Sequence, residues 1–140
     1  MKPKSALLIK HNWCSQIFNA GKRWEIRNKA TKVRGRIGIA CTASSSPSGV
    51  SLLLGEATLT ECIQVGVMQG SFITAPPNAV SNYMFLEKNV EKHKIYHVSQ
   101  FPDLQKYKQV FAWVLADVVE YNQPKVLPRK KGQIVWAKLS

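Results

Sequence analysis

Gly21-Lys22-Arg23-Trp24-Glu25-Ile26-Arg27 is the stretch on which the fold reading turns. Its last four residues alternate. Trp24 and Ile26 fall on one side of an extended chain, Glu25 and Arg27 on the other, so the segment reads as a strand with one apolar and one charged face. Same-side residues of a strand lie about 7 Å apart, which sets Glu25 beside Arg27, with Lys22 near the strand start. One carboxylate flanked by two cations stays ionised, and such a cluster suits a base edge, an oriented water or a phosphate. The same residues also fit a surface ion-pair network of little energetic worth.

Ahead of this strand, Gly21 is a natural stop for a helix over Trp13–Ala20, on which Trp13, Ile17 and Ala20 share a face and Asn12 is placed as N-cap. Ala6–Lys10 reads as a short apolar strand. Behind it, Asn28–Gly35 is a basic loop and Ile37–Thr42 a strand of small and β-branched residues. Ser44–Gly49 is a flexible loop, and Leu52–Val65 a long strand bent near Gly55. Pro76-Pro77 breaks the chain before helical spacing over Asn78–Lys92, and His93–Gln109 is mixed. Val110–Tyr121 is the strongest strand signal, Gln123–Gly132 a basic loop and Ile134–Leu139 the last strand. Short strands separated by turns outnumber helices, so the expected class is mostly β with helical insertions (α+β), arranged as a small β-barrel.

A chain of 140 residues with a 45% hydrophobic share can bury one core, and the expected organisation is a single domain over 1–140. The apolar runs are too short to cross a bilayer or to form a signal-peptide core, which points to a cytoplasmic protein with no membrane partner. Cys14, Cys41 and Cys62 are widely spaced, form no CxxC pair and make no zinc pattern with His11, His93 and His97, so neither metal nor cofactor is expected. His93 and His97 have the i, i+4 spacing of metal ligands but lack a nearby carboxylate.

Twenty Lys and Arg against eight Asp and Glu leave a net charge of +12. Such an excess attracts polyanions, and nucleic acid is the partner it suggests. Two basic stretches could track a phosphate backbone: Lys29, Lys32, Arg34 and Arg36 in one, Lys125, Arg129, Lys130 and Lys131 in the other. Trp13 follows Lys10 and Asn12, an aromatic beside polar groups as base stacking requires, although such a residue taken alone is more often core packing. Trp24, Trp113 and Trp136 read as core. There is no GxSxG, no Gly-rich phosphate loop and no HExxH.

Taken in order, these segments resemble the ASCH domain, the activating-signal-cointegrator homology family within the PUA-like superfamily. That family opens with an apolar strand and a QPW-like turn before a helix, matched here by Leu8-Ile9-Lys10-His11-Asn12-Trp13. Its GxKxxExR motif is matched by Ala20-Gly21-Lys22-Arg23-Trp24-Glu25-Ile26-Arg27. Its basic stretch ending in Arg-Gly, then a strand into small hydroxylated residues, is matched by Thr31–Ser44, with Ser44 at the end. Gly55–Cys62, Phe111–Val118 and Gly132–Trp136 resemble its later strands. The resemblance leaves out roughly Val67–Gln105, a family-variable insertion. Ala20 stands where the family has its first glycine, and His11-Asn12 replace Gln-Pro.

The resemblance implies a PUA-like barrel whose cleft is lined by Trp13, Lys22, Glu25 and Arg27. It implies RNA or DNA binding, RNA before DNA, with a base or nucleoside in the cleft and a monomer as the assumed state. Some relatives hydrolyse N4-acylated cytidine with a lysine, a threonine and a glutamate. Lys22 matches the lysine, but Glu25 fills the threonine position, so that nucleophile is missing. Glu25 could serve instead as a base towards water, with Lys22 polarising the amide oxygen, and the same pair could serve a ribonuclease. Hydrolysis with Lys22 and Glu25 as catalytic residues is therefore the alternative function, and a protein–protein adaptor built on the insertion a second one.

Overall fold

The computed structural model describes residues 2–69, 72–74, 88–96, 98–128 and 135–139. Seven strands are present: β1 (Ser5–Ile9), β2 (Trp24–Arg27), β3 (Gly35–Cys41), β4 (Leu52–Gln69), β5 (Phe72–Thr74), β6 (Gln109–Val126) and β7 (Trp136–Lys138). Two short helices, α1 (His11–Asn19) and α2 (Val90–His93), and three 3-10 turns complete the described elements. The hydrogen-bonded strand path runs β2-β6-β4-β3-β1-β7, with β5 on β4 off that path. The class is thus mostly β, as expected. Closure is not found: among the described residues the path ends at β2 and β7, so the sheet is open where a barrel was anticipated.

The chain packs as two compact units, one drawn from residues 1–21, 34–59 and 116–140, the other from 22–33 and 60–115. In the first, β1 runs parallel to β3 and antiparallel to β7, and β3 pairs antiparallel with β4. Ala6, Ala40, Leu53 and Ala137 form a small-residue core with Leu8, Tyr121, Leu127 and Leu139 packed against it. Helix α1 buries Trp13, Cys14 and Ile17. It starts two residues before the expected Trp13. Lys10, in extended backbone, is the N-cap, its carbonyl accepting from the amides of Trp13 and Cys14 at 3.0 and 3.1 Å. Asn12 lies inside the first turn and does not cap. The Ser45 hydroxyl accepts the His11 amide proton at 2.8 Å instead, a tertiary partner for a donor that every helix start leaves over. At the other end Gly21 has φ +76°, the left-handed stop its sequence position implied.

Strand β4 does bend near Gly55. Ile39 faces Gly55 and Ala40 faces Leu53, so Leu54 is the extra residue of a bulge. The expected flexible loop Ser44–Gly49 overlaps a 3-10 turn at Ala43–Ser45 with hydroxyl–hydroxyl bonds between Ser45 and Thr42 and between Ser46 and Ser48. Strand β6 runs on to Val126, so the first part of the expected basic loop Gln123–Gly132 is strand, and Arg129, Lys130 and Lys131 lie outside the described residues.

In the second unit β2 pairs antiparallel with β6, Trp24 facing Val114 and Ile26 facing Ala112. The apolar side of this pair is buried with Ile95, Leu104 and Val110. Of the expected helix over Asn78–Lys92, the part before Lys88 lies outside the described residues, and α2 accounts for its end.

Candidate functional site

Strand register builds the candidate site in the second unit. Antiparallel pairing puts Trp113 of β6 directly opposite Glu25, so the indole and the carboxylate share a face. Arg27, two residues on, reaches the same face. Its Nε donates to Glu25 Oε2 at 3.1 Å, its Nη2 pairs with the same oxygen at 3.1 Å, and its guanidinium lies over the Trp113 ring, 5.6 Å from the centroid. The Trp113 indole N–H donates to the Lys29 carbonyl at 2.9 Å, which fixes the plane of the ring and ties down the start of the basic loop. Glu25 is only 4% exposed, and its Oε1 is buried with no hydrogen-bond partner among the described residues. The surface ion-pair reading therefore does not apply to Glu25. This carboxylate is desolvated, and one of its oxygens is unused.

Lys22 enters from the segment before β2. Two backbone bonds hold that segment: the Arg23 amide donates to the Lys92 carbonyl at 2.8 Å, and the Leu115 amide to the Arg23 carbonyl at 2.7 Å. The Lys22 side chain is fully buried, with Nζ donating to the His93 carbonyl at 2.6 Å. Burial lowers its pKa to about 8; the Glu25 charge opposes that shift and the Arg27 charge adds to it. His93 is buried as well, and its Nδ1 accepts the Ile95 amide proton at 2.9 Å, which places the ring proton of neutral imidazole on Nε2. The residue after it, Lys94, is left-handed at φ 60°, and this turn presents the His93 carbonyl to Lys22. Tyr107 feels the same cluster. Burial raises its pKa, Arg27 pulls it down, and Glu25 pushes it up.

Lys22, Glu25 and Arg27 thus come together as the sequence implied. Lys29 and Lys32 are exposed in the loop of the same unit. In the first unit Lys10, Asn12, Arg34, Ser44 and Lys125 are exposed, whereas Trp13 is only 7% exposed. Arg36 is occupied within its own unit. Its guanidinium pairs with Glu56 and donates to Thr58 Oγ1 at 3.0 Å and to the Asp117 carbonyl at 2.7 Å. Trp113 is in the core, 3% exposed, as the sequence reading expected, but that reading gave Trp113, His93 and Tyr107 no role at Lys22 or Glu25. The alternation in β6 was a usable signal for Trp113, but its pairing with Glu25 is a long-range register that local spacing does not encode.

Chemically, the cluster offers a buried acceptor, a planar cation stacked on an aromatic, and a desolvated amine. It can accept a hydrogen bond from an amino group or hydroxyl, offer a planar guanidinium to a flat ligand, and trade a proton through Lys22, whose pKa is lowered to about 8. No helix among the described residues is long and apolar enough to cross a membrane. The family model of the ASCH domain matches residues 7–125. No curated protein matches the chain.

Proposed function

This chain belongs to the ASCH domain family, and from that premise we propose that it binds RNA and reads one unpaired base or nucleoside at Lys22, Glu25, Arg27 and Trp113. The family match is consistent with a PUA-like domain of RNA-binding type. The observation that carries the finer reading is Glu25 Oε1, a buried carboxylate oxygen without a donor. Leaving such an atom unsatisfied costs about 1–3 kcal/mol, and a ligand N–H or O–H would restore the bond. Trp113 is itself only 3% exposed and backs the Arg27 guanidinium, so the flat face open to an unstacked base would be that of the guanidinium, and single-stranded RNA offers such bases in loops and ends. Lys29 and Lys32, exposed in the adjoining loop, would meet the flanking phosphates.

The test is a titration of labelled single-stranded RNA with wild type, Lys22→Met and Glu25→Gln, with the recovered RNA run on a gel. Methionine keeps the length of the buried lysine without its charge. The expected outcome is intact RNA bound by wild type, with affinity reduced roughly tenfold or more in both variants, the loss of about one good hydrogen bond to a charged group. Unchanged affinity in both variants would remove the cluster from the interface.

Hydrolysis of RNA or of an N4-acylated cytidine is the second reading, favoured by the amine of Lys22, with a pKa of about 8, near the buried Glu25 carboxyl. It predicts cleaved RNA on the gel, or turnover of the acylated nucleoside, abolished in Glu25→Gln.

A further inference from the structure

The first unit contains a cavity of about 410 Å³ that includes none of the residues of the Lys22–Glu25–Arg27 cluster. Its size falls in the range of small-molecule sites, about 300–1,000 Å³. Pro3, Leu53, Leu139 and the ring of Tyr121 supply apolar walls. Two lysines, Lys2 and Lys125, stand on it, and both are exposed and have no ion-pair partner among the described residues. The polar lining is completed by Gln123 and Glu56.

Glu56 does not make this an acidic site. Arg36 pairs with its Oε2, and the Tyr121 hydroxyl donates to its Oε1 at 2.7 Å, so both oxygens are engaged and the charge is matched. The same contacts hold the Glu56 carboxyl below its ordinary value, and burial, with the bond to Glu56 adding to it, pushes the Tyr121 phenol up to about 12. Tyr121 therefore stays neutral, with its ring anchored at the hydroxyl end and packed against the Ala6–Ala40–Leu53–Ala137 core. Arg36 is itself held to Thr58 and to the Asp117 carbonyl. The wall is thus built before any ligand arrives, and the net charge left at the cavity is that of Lys2 and Lys125.

We propose that this cavity binds a nucleoside monophosphate unit, either free or as one link of a single strand. The base lies against Pro3, Tyr121 and the two leucines, and the phosphate sits between the ammonium groups of Lys2 and Lys125. Charge complementarity selects an anion, the apolar walls select a ligand with a flat apolar body, and Gln123 offers donors and an acceptor to a base edge. The choice of a nucleotide among such anions rests on the RNA-binding reading above.

The experiment uses the full chain with 13C-labelled leucine methyl groups, titrated separately with AMP, adenosine, inorganic phosphate and an oligoadenylate octamer. AMP or the octamer should move the Leu53 and Leu139 methyl signals saturably, with adenosine and phosphate each at least about tenfold weaker, since each lacks half of the recognition. Lys2→Ser with Lys125→Ser, two changes at exposed positions, should weaken the response about tenfold while leaving the rest of the spectrum in place. A response to AMP alone assigns the site to a free nucleotide, and a response to the octamer alone to a strand. If neither ligand moves these methyl signals while the octamer still binds and Lys22→Met weakens it, the cavity proposal falls and the RNA reading stands. If AMP moves them and no RNA binds, the RNA reading falls and the cavity stands.

Discussion

Lys22 is the residue whose energetics are most exposed to test. An ammonium taken out of water loses its hydration, and burial beside the His93 carbonyl at 2.6 Å and the Glu25 carboxylate does not replace it fully, which is why the pKa drops from 10.5 to about 8. The sign of the linkage follows. Between about 8 and about 10.5 the unfolded chain holds the proton on this lysine and the folded chain does not, so stability rises with pH across that window. Below about 8 both states are charged and the folded state carries the full penalty. Urea unfolding at pH 7.5 and 9.5 should show wild type gaining roughly 1–2 kcal/mol relative to Lys22→Met, whose buried position has nothing to titrate. Parallel pH dependence in the two proteins would mean that Lys22 keeps its ordinary affinity for protons. A buried ammonium that costs stability fits the place proposed for Lys22 in the interface.

At the scale of elements, the close approach of β4 to its neighbours depends on Gly55. A methyl group added there would collide with the Val119 carbonyl oxygen and come within 2.7 Å of the Phe18 ring. The carbonyl belongs to β6 backbone and cannot rotate away, so Gly55→Ala should destabilise the fold by about 2–3 kcal/mol, the scale of overpacking a core. Gly21→Ala is the comparison. It meets open space and carries only the strain of φ +76°, about 1–2 kcal/mol. Urea midpoints rank the two, and a smaller loss for Gly55→Ala would show that β4 and β6 can separate locally. The bend at Gly55 was legible in the sequence, as were β1, β2 and the end of α1, because each rests on a local signal: alternation, an apolar run or a glycine stop. The start of α1 was not, because its leftover amide proton finds Ser45, 34 residues away. The end of β6 was misread because Lys125 and its polar neighbours look like loop while the backbone still pairs. The triad Lys22, Glu25 and Arg27 was legible for the same local reason as β2. Trp113, His93 and Tyr107 join it through strand register and a distant turn, which no spacing along the chain announces. Sheet closure is of that kind too, since it depends on which strands meet at the ends of the path.

For the molecule as a whole, a net charge of +12 is a statement about partners only once the cations already engaged are set aside. Lys22 is buried on the His93 carbonyl, and Arg36 is spent on Glu56, Thr58 and Asp117, so neither is available to a phosphate backbone. Lys29 and Lys32 are exposed in a loop that Trp113 anchors at the Lys29 carbonyl, which makes them the cations best placed beside the proposed base site. Each phosphate contact to a single strand contributes about −0.7 to the slope of log K against log salt. RNA binding by wild type should therefore show a slope steeper than about −2, corresponding to three contacts or more. Replacing Lys29 and Lys32 together with serine should flatten it by about 1.4. Arg36→Met should lower the unfolding midpoint, because it strands the Glu56 carboxylate, and leave the slope unchanged. Were Arg36→Met to flatten the slope as much as the double serine change does, its contacts with Glu56, Thr58 and Asp117 would have to be exchangeable for a phosphate, and the division of the charge into structural and binding cations would fail.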